Sequence, residues 1–321
     1  MEFSIIVPTY NSARFLKACI DSVKAQRFSD WELVIVNDGS TDDSDAILSR
    51  CAAEDDRIHI ISQDNRGQFF ARQRGIEAAV GEYLVFLDSD DELEPECLSA
   101  LDKILSDRKW DIVMYTGRII ADGHDTGRTI GEAFPESREV SVRWLRQSLI
   151  SSNAINSLCI KAIRRTLFCG DGTDYSGFAG THCGEDKVRL LYPVTHAESI
   201  FYIPDRLYRY NRRPDSVMHR FFIDAVPRMM AGEMFSMLRV YMEKWGMTDR
   251  KYKSQLEAYE IRTFLSVYYG MRRECRTREE KKAFRSYPWN IHPGTLTPGS
   301  FFCSRISIKE KFMLLAAALR L

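Results

Sequence analysis

The segment Glu82-Tyr-Leu-Val-Phe-Leu-Asp-Ser-Asp-Asp91 joins an uninterrupted apolar run to a cluster of carboxylates. The run has the length of a buried strand, with a glycine before it and a proline after the acidic cluster, and this pattern predicts an inner strand of a parallel sheet. In open α/β sheets, ligands bind outside the carboxyl ends of the strands. We therefore expect Asp88, Asp90 and Asp91 at the rim of a ligand crevice.

Carboxylates crowded at one strand end repel one another unless a positive group joins them. A divalent cation such as Mg²⁺ or Mn²⁺ suits this position, because it prefers oxygen donors and takes few protein ligands, leaving phosphate oxygens to complete its shell. The alternative is a solvated acidic turn whose aspartates cap the next helix. This segment alone leaves both interpretations open.

The chain around this segment alternates between predicted strands and predicted helices. Strands are expected at 3–7, 31–36, 57–62 and 111–115, and helices after Ser12, near 47–51, at 68–80 and at 92–107. Because the connections are short, the alternation predicts an α/β fold with a doubly wound, mostly parallel sheet flanked by helices. Residues 117–139 are polar, and we interpret them as a variable excursion.

Two common nucleotide-binding signatures are absent from the sequence. No strand is followed by G-x-G-x-x-G, and there is no G-x-x-x-x-G-K-[ST] phosphate loop. A nucleotide must therefore be held by other groups. The carboxyl ends of the first, second and fourth strands, with Thr9, Asp38 and 88–90, would supply them.

The composition excludes several classes of protein. Lys and Arg balance Asp and Glu at 45 each, so there is no global charge that would favour nucleic acid. The eight cysteines form no C-x-x-C pair and no zinc-like spacing with His, as expected for reduced thiols in the cytoplasm. The sequence opens directly into a strand and has no apolar run near the roughly 20 residues that span a bilayer, so we expect neither a secretory signal nor a transmembrane helix.

Four ordered motifs carry a resemblance to a known family. They are Ser4-Ile-Ile-Val-Pro-Thr-Tyr-Asn11, Leu33-Val-Ile-Val-Asn-Asp-Gly-Ser-Thr-Asp42, Asn65-Arg-Gly67 with Ala71-Arg-Gln-Arg-Gly75, and Leu87-Asp-Ser-Asp-Asp91. Through these motifs the sequence resembles the inverting family 2 glycosyltransferases of the GT-A fold. The resemblance covers the first 115 residues closely and resumes near Gly184-Glu-Asp186.

The resemblance implies a donor site for a nucleotide sugar. The residues that would bind the nucleotide and its sugar are Pro8, Thr9, Tyr10, Asp38, Arg72, Asp88 and Ser89. Asp90, together with Asp88, would hold Mn²⁺ or Mg²⁺. A cation that bridges two phosphates neutralises the charge growing on a nucleoside diphosphate as it leaves. Asp38 could hydrogen-bond a uracil N–H, or it could be a turn residue that bonds its own backbone.

Inversion at an anomeric carbon needs one general base on the acceptor hydroxyl and no enzyme nucleophile. The resemblance gives this role to Asp186, with Glu185 beside it on the acceptor side. Either carboxylate could instead be a helix N-terminal charge that interacts with the dipole. The resemblance also covers a basic loop at 208–219. There it places Arg213 and Ser216 near the phosphates and His219 in the metal shell, although a lone His is more often structural or solvated.

The C-terminal part is predicted to be helical. Ser307-Ile-Lys-Glu310 fits a capping box, and four apolar residues fall on one face of the helix that follows: Ile308, Phe312, Leu315 and Leu319. Between residues 301 and 321 the local net charge is +3. This end suits an anionic membrane surface carrying a lipid-linked acceptor. The alternative is a helix docked on the core or on a second subunit of a homo-oligomer.

We expect residues 1–220 to form a GT-A catalytic domain, with a nucleotide-sugar-binding half at 1–115 and an acceptor half at 116–220, followed by a helical region at 221–321. The predicted reaction moves a sugar from a nucleotide diphosphate donor, expected to be a UDP-sugar, to a hydroxyl of a glycan or lipid-linked acceptor. Its expected setting is cell-surface or exopolysaccharide biosynthesis, in the cytoplasm or at the inner face of the cell membrane.

Two rival functions stay open on the sequence alone. One is a non-catalytic scaffold that binds a nucleotide sugar on the same fold. The other is a sugar-nucleotide pyrophosphorylase, which opens with a Gly-rich phosphate loop after its first strand. Pro8-Thr-Tyr-Asn11 is not such a loop.

Overall fold

A computed structural model of the protein describes residues 1–178, 184–213, 232–287 and 302–319. Its strands are β1 Phe3–Thr9, β2 Trp31–Asn37, β3 Ile58–Ser62, β4 Tyr83–Phe86, β5 Glu92–Leu93, β6 Ile112–Ala121, β7 His124–Ile130, β8 Arg138–Val140, β9 Lys161–Arg164 and β10 Ile200–Arg212. Its α-helices are α1 Ala13–Lys24, α2 Ser44–Glu54, α3 Gln68–Ala78, α4 Cys97–Asp107, α5 Val142–Ser151, α6 Glu185–His196, α7 Gly232–Lys244, α8 Arg250–Glu274, α9 Arg278–Ser286 and α10 Ile308–Ala318.

The strands form one sheet in the order β3-β2-β1-β4-β9-β6-β10-β5, with β7 beside β6 and β8 beside β10. Strands β3, β2, β1 and β4 are parallel neighbours. Strand β9 runs antiparallel between β4 and β6, and β6 and β10 are again parallel. The predicted parallel arrangement therefore holds for β1 to β4, and the complete sheet is mixed.

Strands β1, β2 and β4 are buried along their whole length. Continuous apolar sequence is what a parallel strand covered by helices on both faces requires. In register, Ile6 lies opposite Phe86 and Thr9 lies opposite Asn37, so the three strands end at the same edge of the sheet. We call this edge, formed by residues 10–12, 38–43 and 87–91, the carboxyl edge.

Helix α3 lies unusually close to strand β1, and a glycine permits this. A Cβ at Gly75 would lie 2.5 Å from Cγ2 of Ile6, which is too close for any other residue without movement of β1. The close approach matters because Gln68 and Arg72 lie on the same helix. It holds both side chains against the carboxyl edge.

Two segments differ from the sequence-based expectation. Residues Glu92–Leu93, predicted as helical, form β5 and pair with β10, and α4 begins only at Cys97. Residues predicted as a polar excursion form a β6–β7 hairpin, closed by Asp122 and Gly123 with φ of 51° and 78°. Positive φ at both turn residues matches the twist of a hairpin. In both cases pairing with another strand decides the structure.

The contacts divide the chain into two compact units. The first comprises Met1–Leu145, Asn153–Gly180 and Arg189–Arg213, and the second comprises Arg146–Ser152, Thr181–Val188 and Pro214–Leu321. The predicted boundary between residues 220 and 221 falls outside the described residues. The domain division made from the sequence therefore stays a prediction.

The second unit has its own core, in which α8 packs against α10. Ile261, Phe264 and Tyr268 of α8 are buried with Leu314 and Ala317 of α10. The predicted capping box at the start of α10 is present: Glu310 N donates to Ser307 Oγ at 3.2 Å, and Ser307 N donates to Glu310 Oε2 at 2.6 Å. Among the described helices, none combines the length and the apolar character needed to cross a bilayer.

Candidate active site

Asp88 follows β4 and is held by two side chains of α3. Its Oδ1 accepts hydrogen bonds from Gln68 Nε2 at 2.9 Å and from Arg72 Nη2 at 2.7 Å. Arg72 is 3% exposed, whereas the Asp88 side chain is 28% exposed. Hydrogen bonds between ionised partners are the strong ones. Within the described part of the chain, Oδ2 of Asp88 accepts no hydrogen bond, so it is the atom that can meet a ligand.

Asp90 is the most exposed of the three carboxylates, at 43%. Arg213, which follows β10, approaches it: Nη1 lies 3.8 Å from Asp90 Oδ2, and Nη2 donates to the Asp90 carbonyl oxygen. The Arg213 guanidinium also stacks on the ring of Phe15. An arginine held in this way presents a cation beside the acidic strand end, where a phosphate would need one.

Asp91 is 2% exposed and does not face a ligand crevice, contrary to the expectation from the sequence. Its carboxylate accepts hydrogen bonds from Tyr208 Oη and from Asn211 N, each at 2.7 Å. Burial, and then the charges of Asp90 and Asp88, hold the pKa of Asp91 well above its ordinary value. Asp91 therefore joins β10 to the acidic segment.

Asp38 follows β2 and fixes the loop that begins α3. It is 2% exposed. Its Oδ1 accepts from Gln63 Nε2 at 2.7 Å and from Arg66 N at 2.9 Å, and its Oδ2 accepts from Gly67 N at 2.8 Å. A carboxylate has about four lone-pair positions, so one position is left for a ligand N–H. The structure thus shows Asp38 building the site; whether it also contacts a base stays a prediction.

The β1 end differs slightly from the predicted turn, because the strand continues through Pro8 and Thr9. Thr9 is 1% exposed, and within the described residues its hydroxyl has no hydrogen-bond partner. Its carbonyl oxygen accepts from Asp38 N at 2.8 Å. Tyr10, the next residue, is 50% exposed at the carboxyl edge.

Serine and asparagine side chains join the three loops of the carboxyl edge. Ser12 directly precedes α1, but its hydroxyl makes no cap bond and instead lies 2.7 Å from the hydroxyl of Ser89. Asn11 has a φ of 49°, which asparagine tolerates, and its Oδ1 accepts from Thr41 N at 2.7 Å. These bonds fix the loops after β1, β2 and β4 relative to one another.

The residues at this edge suit a hard divalent cation. No group of three His, Cys, Asp or Glu side chains in metal-binding geometry occurs among the described residues, a set that leaves out Ser216 and His219. Mg²⁺ and similar ions commonly use only one or two carboxylates and take their other ligands from water and phosphate. Oδ2 of Asp88 and the exposed carboxylate of Asp90 are oxygen donors of this kind, and the donor set therefore fits.

Glu185 and Asp186 belong to the second unit, where they form the first turn of α6. Gly184 before them has a φ of +80°, and a Cβ there would lie 2.3 Å from Sδ of Met234. Lys187 after them is fully buried and donates to the carbonyl oxygens of Leu149 at 2.6 Å and Ser152 at 2.7 Å. The start of α6 is therefore fixed within this unit, and both carboxylates are partly exposed.

Comparison with known proteins identifies the family. The model of Glycosyl transferase family 2 matches residues 4–168, just over half of the chain. The chain belongs to this family. EpsH of Bacillus subtilis, which is named a glycosyltransferase, is 28% identical over 223 residues, or 68% of this chain and 63% of EpsH. The chain thus matches less than two thirds of the length of that relative.

Solved structures show the same fold. S. aureus TarS, in complex with UDP-GlcNAc, has a TM-score of 0.67 over 100% of this chain and 92% of its own, at 18% identity. The mannosyltransferase PcManGT from Pyrobaculum calidifontis, in complex with GDP-Man and Mn²⁺, has a TM-score of 0.54 over 99% and 86%, at 15% identity. The prediction of a GT-A fold with a C-terminal helical part is confirmed.

Family membership favours glycosyl transfer over a pyrophosphorylase, because the matching family model is that of glycosyl transferases. The non-catalytic scaffold would share this fold, and the comparisons do not test it. Three residues that hydrogen-bond to the carboxylates of the carboxyl edge were missed: Gln68, Tyr208 and Asn211. A signal existed for Gln68, because it lies four residues before Arg72 and so on the same helix face. No local signal connects Tyr208 or Asn211 with Asp91.

Proposed function

We propose that the protein transfers a sugar from a UDP-sugar to a hydroxyl of a glycan or lipid-linked acceptor, with inversion and with Mn²⁺ or Mg²⁺. The observation that carries the proposal is the position of Asp88 and Asp90 at the end of β4, with Arg72 and Arg213 beside them. Carboxylates for a cation and arginines for phosphates meet at the edge where α/β sheets bind ligands.

The nucleotide would lie across the ends of β1 and β2. Tyr10 offers an exposed aromatic surface, Thr9 a hydroxyl, and Asp38 its remaining acceptor position. Pro8 precedes Thr9 within the buried strand β1. The UDP preference draws support from the TarS complexes with UDP and UDP-GlcNAc, whereas PcManGT was solved with GDP-Man. The identity of the nucleotide base is therefore the first property of the donor to test.

Asp90 and Asp88 would hold the cation, and Ser89 lies between them in the chain. When bound, the cation neutralises the charge that develops on the leaving diphosphate. Arg213 contributes a second positive charge, and its contact with Phe15 reduces the freedom that it must lose on binding. Ser216 and His219, proposed to complete this shell, lie outside the described residues.

Asp186 is proposed to take the proton of the acceptor hydroxyl. The acceptor oxygen then forms its bond to the anomeric carbon while the bond from that carbon to the phosphate oxygen breaks, and the nucleoside diphosphate departs with the electron pair. The proton ends on the Asp186 carboxylate, and Glu185 beside it would orient the acceptor. An acceptor from cell-surface or exopolysaccharide biosynthesis is proposed on the family resemblance.

Calorimetric titration with UDP, GDP, CDP and TDP, each with and without Mn²⁺, tests the proposal. We expect UDP to bind tightly and only in the presence of Mn²⁺. Equal affinity for all four nucleotides would contradict the proposed base contacts at Asp38 and Tyr10. Tight binding of UDP with the same affinity in the presence and absence of Mn²⁺ would contradict the proposed role of Asp88 and Asp90.

A further inference from the structure

The surface of α10 concentrates exposed apolar side chains. Nine large hydrophobic residues of the described chain are exposed, and five of them lie within residues 302–319. These five are Phe302 at 83%, Ile308 at 74%, Phe312 at 68%, Leu315 at 45% and Leu319 at 59% exposed. We call the last four, which lie on one side of α10 and its C-cap, the apolar stripe. Scattered exposed apolar residues need no explanation, but a contiguous group marks an interaction surface.

The stripe is the face of α10 that does not pack on the protein. Leu314 and Ala317 face the core of the second unit, and Cys303 and Ile306 join them there. Ile308, Phe312, Leu315 and Leu319 recur every three or four residues on the other side. The helix is thus docked on the core, as one alternative from the sequence had it, but through Leu314 and Ala317 and not through the predicted apolar face.

Lysines flank the stripe on both sides. Successive helical residues turn by about 100°, which places Lys309 about 90° to one side of Ile308, Phe312 and Leu315, and Lys311 about 70° to the other. The one acid of α10, Glu310, points away from the stripe, because its Oε1 accepts from Arg262 Nε at 2.8 Å. Lysines beside an apolar face can bury their stems and extend their charges to the surface.

The groove beside the apolar stripe also carries positive charge. A cleft of about 590 Å³ between α8 and α10 is lined by Arg262, Arg273 and Lys309, with Glu310 as its acid. Tyr269 lies in the same cleft and donates to the Met313 carbonyl oxygen at 2.8 Å. The surface around the stripe is therefore apolar at its centre and basic at its margins.

We infer that the apolar stripe of α10 binds the surface of an anionic lipid bilayer. An amphipathic helix with an apolar face and flanking lysines lies in the plane of the interface, with its apolar face in the acyl boundary and its charges among the headgroups. A second copy of the chain fits this surface poorly. A two-fold interface places a patch against itself, so the lysine-bearing margins of the two copies would lie side by side with like charges. The inference does not depend on the proposed glycosyl transfer.

Vesicle sedimentation of the full chain tests the inference. The two probes are vesicles of phosphatidylcholine and vesicles in which roughly 30% of the lipid is phosphatidylglycerol. We expect at least about tenfold stronger binding to the anionic vesicles, weakening as salt is added, because anionic headgroups attract the flanking lysines and salt screens this attraction. Equal binding to both vesicles, or binding to neither, would overturn the inference.

Matched variants separate the apolar and the basic contributions. Phe312→Ser with Leu315→Ser is expected to lower binding to the anionic vesicles at least about tenfold, whereas Val240→Ser, an exposed apolar residue of α7, leaves it unchanged. Lys309→Glu with Lys311→Glu is expected to abolish the preference for anionic lipid. The control is the same reversal of charge at two exposed lysines of another helix, Lys281→Glu with Lys282→Glu in α9.

Two further measurements keep the variants informative. The circular dichroism and thermal unfolding of each variant should match those of the parent, because every substituted side chain lies at the surface. Light scattering gives the oligomeric state. The parent protein could instead form a concentration-dependent dimer that Phe312→Ser dissociates, and fail to bind vesicles. In that case the stripe binds a second copy of the chain and not a lipid surface.

Discussion

Arg72 and Asp88 form an ion pair of unequal exposure at the end of β4. The arginine is 3% exposed, the Asp88 side chain is 28% exposed, and Nη2 lies 2.7 Å from Oδ1. Gln68 donates to the same oxygen, so Oδ1 is used within the protein. The pair fixes the carboxylate through one oxygen and leaves the other for a ligand. Removing the arginine would therefore affect both stability and binding.

Arg72→Lys tests this dual role, because lysine keeps the charge but lacks the planar fork of donors. We expect the free energy of unfolding to fall by about 1–3 kcal/mol and the affinity for UDP with Mn²⁺ to fall about tenfold or more. Urea unfolding and calorimetry measure the two effects. Arg74→Lys, an exposed position on the same helix, is the control, and equal effects of the two substitutions would argue against the pair.

Asp90→Ala tests the proposed metal site. The backbone carbonyl that Arg213 and Asn211 contact is kept, so the substitution removes the exposed carboxylate and its approach to Arg213 Nη1. We expect the dependence of UDP affinity on Mn²⁺ to disappear, with a loss of at least about tenfold in the presence of the ion. Asp56→Ala, at another exposed aspartate, should leave the Mn²⁺ dependence intact. An unchanged effect of Mn²⁺ in Asp90→Ala would remove this residue from the site.

Asp186→Asn tests the proposed general base. The amide keeps the shape of the side chain but cannot take a proton, so kcat should fall about 10²- to 10⁴-fold while UDP binding is unchanged. Initial rates with the true acceptor and UDP calorimetry measure the two quantities. Glu185→Gln should have the smaller effect on kcat. If the two variants lose the same activity, the charges act together at the helix start and neither is the base.

Gly184→Ala tests how the segment before Glu185 is fixed. Two destabilising features add at this position. The backbone has a φ of +80°, which L-residues rarely adopt, and an added Cβ would lie 2.3 Å from Met234 Sδ. Gly127 has a φ of +72° but nothing within 4 Å of an added Cβ. We expect Gly127→Ala to lower the free energy of unfolding by about 1–2 kcal/mol and Gly184→Ala to lower it more. Equal losses by urea unfolding would show that Met234 moves aside without cost.

The elements that could be predicted from the sequence carry a hydrophobic pattern of their own. Strands β1, β2 and β4 were predicted because inner parallel strands are continuously apolar, and the carboxyl edge followed from the rule that such strands end together. Short strands such as β5 carry no pattern of their own. Glu92 and Leu93 become a strand only because Arg209 and Tyr208 lie beside them.

The same distinction applies to the site. Asp88 and Asp90 could be found from their place after an apolar run, whereas the buried role of Asp91 depends on Asn211, 120 residues later. The orientation of α10 shows a related limit. Its most regular apolar face is exposed, and the docked face consists of Leu314 and Ala317. Periodicity identifies an amphipathic helix but does not say which of two apolar faces the protein covers.

Glu310→Gln tests the contact between α8 and α10 through its pH dependence. The Arg262 guanidinium, together with the capping bonds of Ser307, lowers the pKa of Glu310 to about 2, below the ordinary value for glutamate of about 4.3. The ionised carboxylate therefore stabilises the folded state above about pH 4.3, and this stabilisation is lost as the pH falls towards 2. Glutamine can still serve in a capping box, so the substitution removes the charge of Glu310, and with it the ion pair, while the capping geometry is kept. We expect the variant to be less stable by about 0.5–1 kcal/mol at pH 7 and equal to the parent near pH 2, by urea unfolding. Glu279→Gln, in the first turn of α9, is the control. If Glu310→Gln lowers the free energy of unfolding equally at pH 7 and near pH 2, the loss comes from packing and not from the ion pair.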